Sequence, residues 1–508
     1  MIRHWLLPST SLRTGIARIL GAALACATLA GCALAPLERS ATGADALCQE
    51  VFQRVDQAVA EAGVGDGMAA RVAGFPYLRA SRFLASYARE DLSEAQFEQW
   101  LGRMVMLGRE SHRIELANLP AAMREALGRA LQEIGEHAPP REALETCAKR
   151  LAAAERARPE RRAALRGAIS VPDDYVTWQR IVGLYWITRI PFASGVRNWH
   201  RDVHDTFTVP LDGLPVTGRL ATYAPPPAPA ARTDVAALLA RAPANPLGIP
   251  EPAGADLEAL FHAFAPRFVV DTRGAADVPG EVGLGADGLP RVAARPPVVY
   301  RRISHARYQG RALLQLNFAI WFPERPRDAG WDILGGHLDG VLWRVTLAPD
   351  GEPWVYDTIH HCGCYHQFFP TPRAALKPQP DTLDEAPLVP QLLPRAGSDS
   401  RITLRLASGT HYLERVVVHA ALHGPAVEYA FADDDALRSL PLNEEERRSV
   451  FRPDGIVPGS ERGERWLFWP MGVPEPGAMR QWGRHATAFV GRRHFDDPDL
   501  LERYFTLR

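Results

Sequence analysis

Apolar positions along the chain change their period near its middle. From about Ala44 to Leu165 they recur at helical spacing. The clearest case begins at Ser93, with Gln96 three residues later in a capping-box spacing; Phe97, Trp100, Leu101, Met104 and Val105 then fall on one helical face. Pro120 stands early in the next predicted helix, where its missing N–H costs little. Residues 145–166, rich in Ala, Arg and Glu, predict one long solvated helix. Residues 171–206 are crowded with aromatics and predict a buried helix that packs two domains together. Membrane contact is the lesser reading there, because Asp173, Asp174, Arg180 and Arg189 interrupt the apolar run.

Beyond Asp256 the period becomes two. Strands are predicted over 298–307, 312–322, 341–347, 354–359, 402–407 and 413–420. Leu314, Leu316, Phe318, Ile320 and Phe322 share one face of the second. Gln309-Gly310 and Pro349-Asp350-Gly351 supply turns between neighbours. Between the two regimes, residues 224–254 hold three consecutive prolines, which favour extended geometry and mark the best domain boundary. The expected fold class is therefore α+β: an N-terminal helical bundle over 44–223, the Pro-rich linker, and a mainly antiparallel β-sandwich over 255–430. A C-terminal extension over 431–508 mixes loops with a terminal helix near 498–505. Asp433-Asp434-Asp435 reads as a cap or solvated turn rather than a calcium site.

Composition sets the compartment more than the fold. Of 58 basic residues only Lys149 and Lys377 are lysines. Formal charge is −1 for the whole chain. Without Arg3, Arg13 and Arg18 it is 55 basic against 59 acidic residues, or −4. No basic footprint for nucleic acid is present, so nucleic acid is not an expected partner. At the N-terminus, Arg3, His4, Arg13 and Arg18 precede an apolar run from Ile19 to Ala30, and Leu29-Ala30-Gly31-Cys32 follows. That run is shorter than the ~20 apolar residues of a membrane span. The motif resembles the lipobox of bacterial lipoproteins, in which the cysteine is lipidated and becomes the first mature residue. The resemblance implies a signal peptide over 1–31, a lipidated Cys32, a tether to residue 43, and a protein whose membrane partner is reached through acyl chains. Ala33, rather than Asp, implies the outer membrane. In such an oxidising compartment Cys48 and Cys147, which begin and end the helical region, are expected to pair. That bridge would close a loop worth very roughly 4–5 kcal/mol in the loop-entropy model.

Candidate chemistry is densest between His337 and His366, where His337, Asp339, His360, His361, Cys362, Cys364 and His366 fall within thirty residues. On an extended chain His337 and Asp339 share a face with Val341, Trp343, Val345 and Leu347, and so point toward the core. On the partner strand Trp354, Tyr356, Thr358, His360, Cys362 and Cys364 share a face. One hairpin then brings His337, Asp339, His360 and a cysteine together, a donor set that suits zinc or another divalent metal. A buried Asp needs some such partner. The plainer readings stand beside it: Asp339-Gly340 as a turn, and Cys362-Gly363-Cys364 as a strained disulfide. His200 and His204 have the i, i+4 spacing of zinc hydrolases, but Arg201 stands where the general-base Glu belongs.

Short pieces between residues 260 and 418 resemble the Vps62-related and necrosis-inducing (NPP1-like) β-sandwich proteins. They are Ala265-Pro266-Arg267-Phe268, Ala319-Ile320-Trp321-Phe322, Gly336-His337-Leu338-Asp339, Tyr356-Asp357-Thr358-Ile359-His360 and Ser408-Gly409-Thr410-His411-Tyr412. The resemblance implies a divalent-cation site using His337 and Asp339, with His411 from an adjacent strand as a further ligand. The family's Trp-Glu is replaced here by Gly340-Val341. The functional expectation is an outer-membrane lipoprotein with a metal-binding sandwich that acts by binding an envelope protein or ligand, or structurally. The alternatives are a zinc-dependent envelope hydrolase built on His337, Asp339 and His360, with His361 or His411 as proton shuttle, and a thiol–disulfide protein using Cys362 and Cys364.

Overall fold

The computed structural model describes residues 43–227, 233–242, 245–327, 332–397, 400–418 and 425–508. The leader, Cys32 and the tether to residue 42 lie outside the described residues, so the lipidation expectation falls there too. The fold is α+β, with helices in the N-terminal part and sheets later.

Helix Gly43–Ala62 leads into a hairpin of β1 (Ala70–Val72) and β2 (Phe75–Ala80), then into helices Glu94–Asn118, Ala121–Glu133, Pro140–Ala157 and Pro159–Ala168. Ser93 and Gln96 cap the second of these reciprocally, at 3.3 and 3.0 Å. Its inner face, with Phe97, Trp100, Leu101 and Met104, packs on Val51, Phe52 and Tyr77 in one core. Cys48 and Cys147 are bridged, with Cα atoms 5.1 Å apart, which ties the first helix of this unit to helix Pro140–Ala157. Two helical expectations change. The single helix over 145–166 is broken at Arg158, because the residue before a proline is driven to extended backbone and Pro159 follows. It is also less solvated than expected: Leu151, Ala152 and Glu155 are buried.

The 171–206 stretch is not a buried connector. It forms two helices, Thr177–Val182 and Tyr185–Thr208, with Leu184 left-handed between them at φ 49°. Trp178, Ile181, Val182 and Trp186 face outward. Its inward contacts include Arg180, whose guanidinium stacks on Tyr175 and Tyr185 and donates to the carbonyls of Met471 and Gly491.

In chain order the strands from there to residue 433 are β3 (Arg219–Ala224), β4 (Arg267–Thr272), β5 (Glu281–Leu284), β6 (Pro290–Ala293), β7 (Val298–Tyr308), β8 (Arg311–Arg325), β9 (Gly336–Leu347), β10 (Pro353–His360), β11 (Gln367–Pro370), β12 (Ala374–Leu376), β13 (Ile402–Leu406), β14 (Leu413–Val418), β15 (Ala426–Glu428) and β16 (Ala430–Asp433). One sheet has the order β11-β10-β9-β8-β7-β16 and the other β14-β13-β4-β3-β15. Most neighbours are antiparallel; β13–β4, β15–β3 and β16–β7 run parallel. The sheets share a core, in which Leu316, Phe318, Ile320, Phe322, Val341 and Trp343 meet Phe268, Val270, Leu404, Leu406 and Val416. The sandwich begins earlier than expected, since β3 precedes the Pro-rich stretch and pairs with β4 after it. The prolines thus connect two strands of one sheet rather than two domains.

The outer face of the six-stranded sheet is covered as well. Ala319, Trp321, Leu342 and Ile359 pack on Leu437, Val457, Met479 and Phe495 of the C-terminal extension. Burial on both faces is why β8 and β9 are buried almost end to end. Asp433 caps the short helical turn that follows it, and Asp434 and Asp435 pair with Arg302, in agreement with the cap reading.

Candidate functional site

The site is built where β9 enters the sheet. Residue 339 pairs with Phe322 and residue 341 with Ile320, so Asp339 lies on the face that meets the other sheet, at its rim. His360 is opposite Val341 on β10, one diagonal step away. His411 comes from the turn between β13 and β14, left-handed at φ 52°, with its ring stacked on Phe322 at 3.8 Å. Asp277 comes from the turn after β4. It accepts hydrogen bonds from the Arg273 N–H at 2.8 Å, the Ser408 hydroxyl at 2.9 Å and the Gly409 N–H at 2.6 Å.

These side chains form one chain of charge. His411 Nδ1 donates to Asp339 Oδ2 at 2.8 Å, and its Nε2 lies 3.4 Å from Asp277 Oδ1. His360 Nδ1 donates to the other Asp339 oxygen at 3.3 Å. Arg462, from the C-terminal extension, is 3.5 Å from that same oxygen and donates to the Leu338 carbonyl at 2.8 Å. Burial works against the charge on Asp339, but His360, His411 and Arg462 outweigh it and hold the carboxyl well below its usual range. Burial also opposes a charge on His411, yet its bonds to Asp277 and Asp339 raise its pKa and favour the imidazolium. For His360 burial prevails and the neutral ring is favoured. Asp277, Asp339, His411 and Arg462 therefore sum to zero charge, which is how buried ions are tolerated.

Around His360 stand Tyr365 at 4.9 Å and Tyr412 at 5.7 Å between ring centres. Arg325 donates to the Tyr412 hydroxyl at 3.2 Å. Glu464 shares this neighbourhood; burial raises its carboxyl to about 7 against the pull of Arg462 and Arg325. Asp339, His360, His411 and Asp277 are each no more than 4% exposed.

The structure brings together Asp339, His360 and His411 from the expected ligand set and separates the others. His337 Nε2 donates to the Pro290 carbonyl at 2.7 Å, which fixes the proton on Nε2. Leu338 is left-handed at φ 58°, which interrupts the strand alternation and turns His337 away from Asp339 onto the β5–β6 ribbon. His366 sits 2.9 Å from Asp357, which is itself paired with Arg344 in a second buried network against Phe495. Cys362 and Cys364 are buried free thiols rather than a disulfide, in a turn where Gly363 takes φ 87° and a Cβ would meet the Ala486 carbonyl at 2.5 Å. His361 stacks on Trp321 at 3.8 Å. Gly340 is no turn: it sits inside β9 opposite Trp321, and a Cβ there would meet the His361 ring at 2.3 Å.

A divalent metal does not fit this arrangement. Both Asp339 oxygens already accept from imidazole N–H groups, and Arg462 brings a positive charge to the place where a cation would need negative ones. Among the described residues no group of three or more His, Cys, Asp or Glu side chains is arranged to hold a metal ion. His200 and His204 lie on one helix as their spacing predicts, and burial lowers His200 to about 4.

Sequence reasoning missed Asp277, Arg325, Arg462 and Glu464. Asp277 and Arg325 lie in turns and strand ends without a motif of their own. Arg462 and Glu464 are lost in a chain with 58 basic and 59 acidic residues. Compared with known proteins, the chain matches no family model, no curated protein and no solved structure.

Proposed function

We propose that this protein is an envelope lipoprotein, anchored in the outer membrane through acyl chains on Cys32, that acts by binding or as a structural element. One observation carries the choice of binding over turnover: the Asp277–His411–Asp339–His360 chain is closed from solvent and neutralised from within. A catalytic metal centre needs an open coordination position and an unspent carboxylate. Here the same groups join the turn after β4, the β13–β14 turn, β9, β10 and the C-terminal extension. The cluster thus serves as the polar clasp of the sandwich. A hydrolase reading draws on a separate observation, the Glu464 carboxyl that burial raises to about 7 in the field of Arg462, Arg325 and Asp339.

The test uses the chain from Ala33, purified without chelator, and the full chain in parallel. Elemental analysis is expected to find no stoichiometric metal, and added zinc should leave the melting temperature unchanged. The full chain should incorporate labelled palmitate, and Cys32→Ser should abolish it. A full equivalent of zinc that disappears in Asp339→Asn would overturn the clasp reading. Turnover of ester, phosphate or peptide substrates that is lost in Glu464→Gln would replace it with the hydrolase.

A further inference from the structure

The surface that the fold leaves uncovered is aromatic and basic. Trp178 and Trp186, on the two helices that meet at Leu184, are 61% and 66% exposed. Ile181 and Ile190 on the same helices are also exposed. The segment 465–472 runs alongside: Phe468 packs edge-on against Phe192 at 5.2 Å, and the Arg180–Met471 and Val176–Gly472 hydrogen bonds fix its position. That segment adds Trp466, 73% exposed, and Leu467. Three exposed tryptophans and their aliphatic neighbours are thus carried by two separate parts of the chain that pack together. Soluble proteins rarely leave such a face bare.

Between Tyr175 and Arg201 the chain carries four arginines and no acidic residue, with Asp173, Asp174, Asp202 and Asp205 flanking that stretch. Arg180 is held inward, but Arg197 and Arg201 are exposed and Arg465 stacks on Trp466 at 4.9 Å. Arg189 has Asp384 at 4.0 Å. Indole rings combine an apolar body with an N–H that prefers the wet side of an interface. Tryptophans and aliphatics projecting from a short helical pair, with arginines around them, are the pattern of a face that lies in the headgroup region of a bilayer. The charge of the mature chain is −4, so this local excess of arginine runs against its overall balance.

We propose that the face formed by residues 177–190 and 465–467 docks on an anionic lipid bilayer and fixes the orientation of the folded domain on the membrane. The proposal extends the lipoprotein reading, which it takes as the reason a bilayer is near. Only 12 residues separate Cys32 from Asp45, a reach of at most ~40 Å when fully extended. The anchor holds the protein at the membrane; the aromatic face decides which side of it meets the lipid. No helix among the described residues is long and apolar enough to cross a membrane, so contact would be interfacial.

The experiment uses the chain from Ala33, which retains every described element and carries no lipid, so its outcome does not depend on acylation. Sedimentation with vesicles rich in phosphatidylglycerol should capture it, with a blue shift of tryptophan emission and quenching by brominated acyl chains. Capture by phosphatidylcholine vesicles should be weaker. Trp186→Asp with Trp466→Asp should reduce binding roughly tenfold or more, and Arg197→Glu with Arg201→Glu should remove the preference for anionic lipid. Both pairs lie at exposed positions, and unchanged far-ultraviolet circular dichroism would confirm that the variants fold. No capture by anionic vesicles overturns the proposal. So does sedimentation as a dimer that the tryptophan substitutions dissociate, which would assign the face to a second copy of the chain. Failure of palmitate labelling with vesicle capture intact would remove the anchor and leave the docking face standing.

Discussion

Asp339→Ala is expected to destabilise the folded protein by about 3–5 kcal/mol, the usual cost of removing one partner from a buried ion cluster. Asp339 accepts from His360 and His411 and faces Arg462, all within a site that water does not reach. Alanine leaves the imidazolium of His411 and the guanidinium of Arg462 with one carboxylate, Asp277, between them. The deficit is one buried positive charge, and it falls at the junction of both sheets and the C-terminal extension. Urea unfolding measures it as a lower midpoint. The double variant Asp339→Ala with Arg462→Met removes one charge of each sign, and should cost less than the two single changes added together. If Asp339→Ala keeps its midpoint within the scatter of the parent, the cluster is not a clasp, and Asp339 is free for a ligand.

The difference between what could and could not be read beforehand has a physical pattern. Period-two alternation placed β7, β8, β9 and β10 within a few residues, because their faces pack on different partners and each face needs its own apolar set. The same alternation put Asp339 and His360 on one face, and motif order added His411; all three are joined. It failed for His337, since one left-handed residue, Leu338, resets the parity and nothing in a Gly-His-Leu-Asp string announces that. The Cys362–Cys364 stretch failed for the same reason, with Gly363 and Tyr365 both at positive φ. Aromatic density in 171–206 predicts a buried helix, yet density alone does not tell which side of a helix finds a partner. The extension is expected to mix loops with a terminal helix, and a short helix does form at Leu500–Tyr504. Its buried Met479, Val457 and Phe495 lack any period, and so their role as the lid of the six-stranded sheet had no local signature. Arg462 acts across more than a hundred residues of separation from Asp339, a distance at which pattern carries no information.

Acidification should destabilise the protein through its buried imidazoles. Burial holds His361 at about 3 and His305 and His366 at about 4, each neutral in the fold, while the unfolded chain takes up a proton on each near 6.5. His366 keeps its low value even though Asp357 pulls it upward. A group whose folded pKa is depressed below the unfolded one leaves the unfolded state with more protons, so stability is complete above about 6.5 and is lost as pH falls toward the folded value. Glu464 acts oppositely: raised to about 7, it binds a proton in the fold first and adds stability as pH falls from 7 to 4.5. His411, raised above 6.5, adds its share as pH falls toward 6.5 and nothing further below it. His200, lowered by burial to about 4, is a fourth, and four imidazoles against the Glu464 carboxyl leave a net loss of stability as pH falls between about 6 and 4.5. His112 and His485, also lowered by burial, steepen the loss; Glu115 and Glu385, raised by burial, moderate it. Against a total stability of about 5–15 kcal/mol, that loss is a large share of the margin by pH 4.5. Urea midpoints measured from pH 8 to pH 4.5 should be flat at first and then fall steeply. His361→Phe keeps the stack on Trp321 and removes one titrating ring, so its slope should be shallower by about one proton's share. A midpoint that stays level down to pH 4.5, or a slope that His361→Phe leaves unchanged, would mean that these imidazoles reach water and charge within the fold.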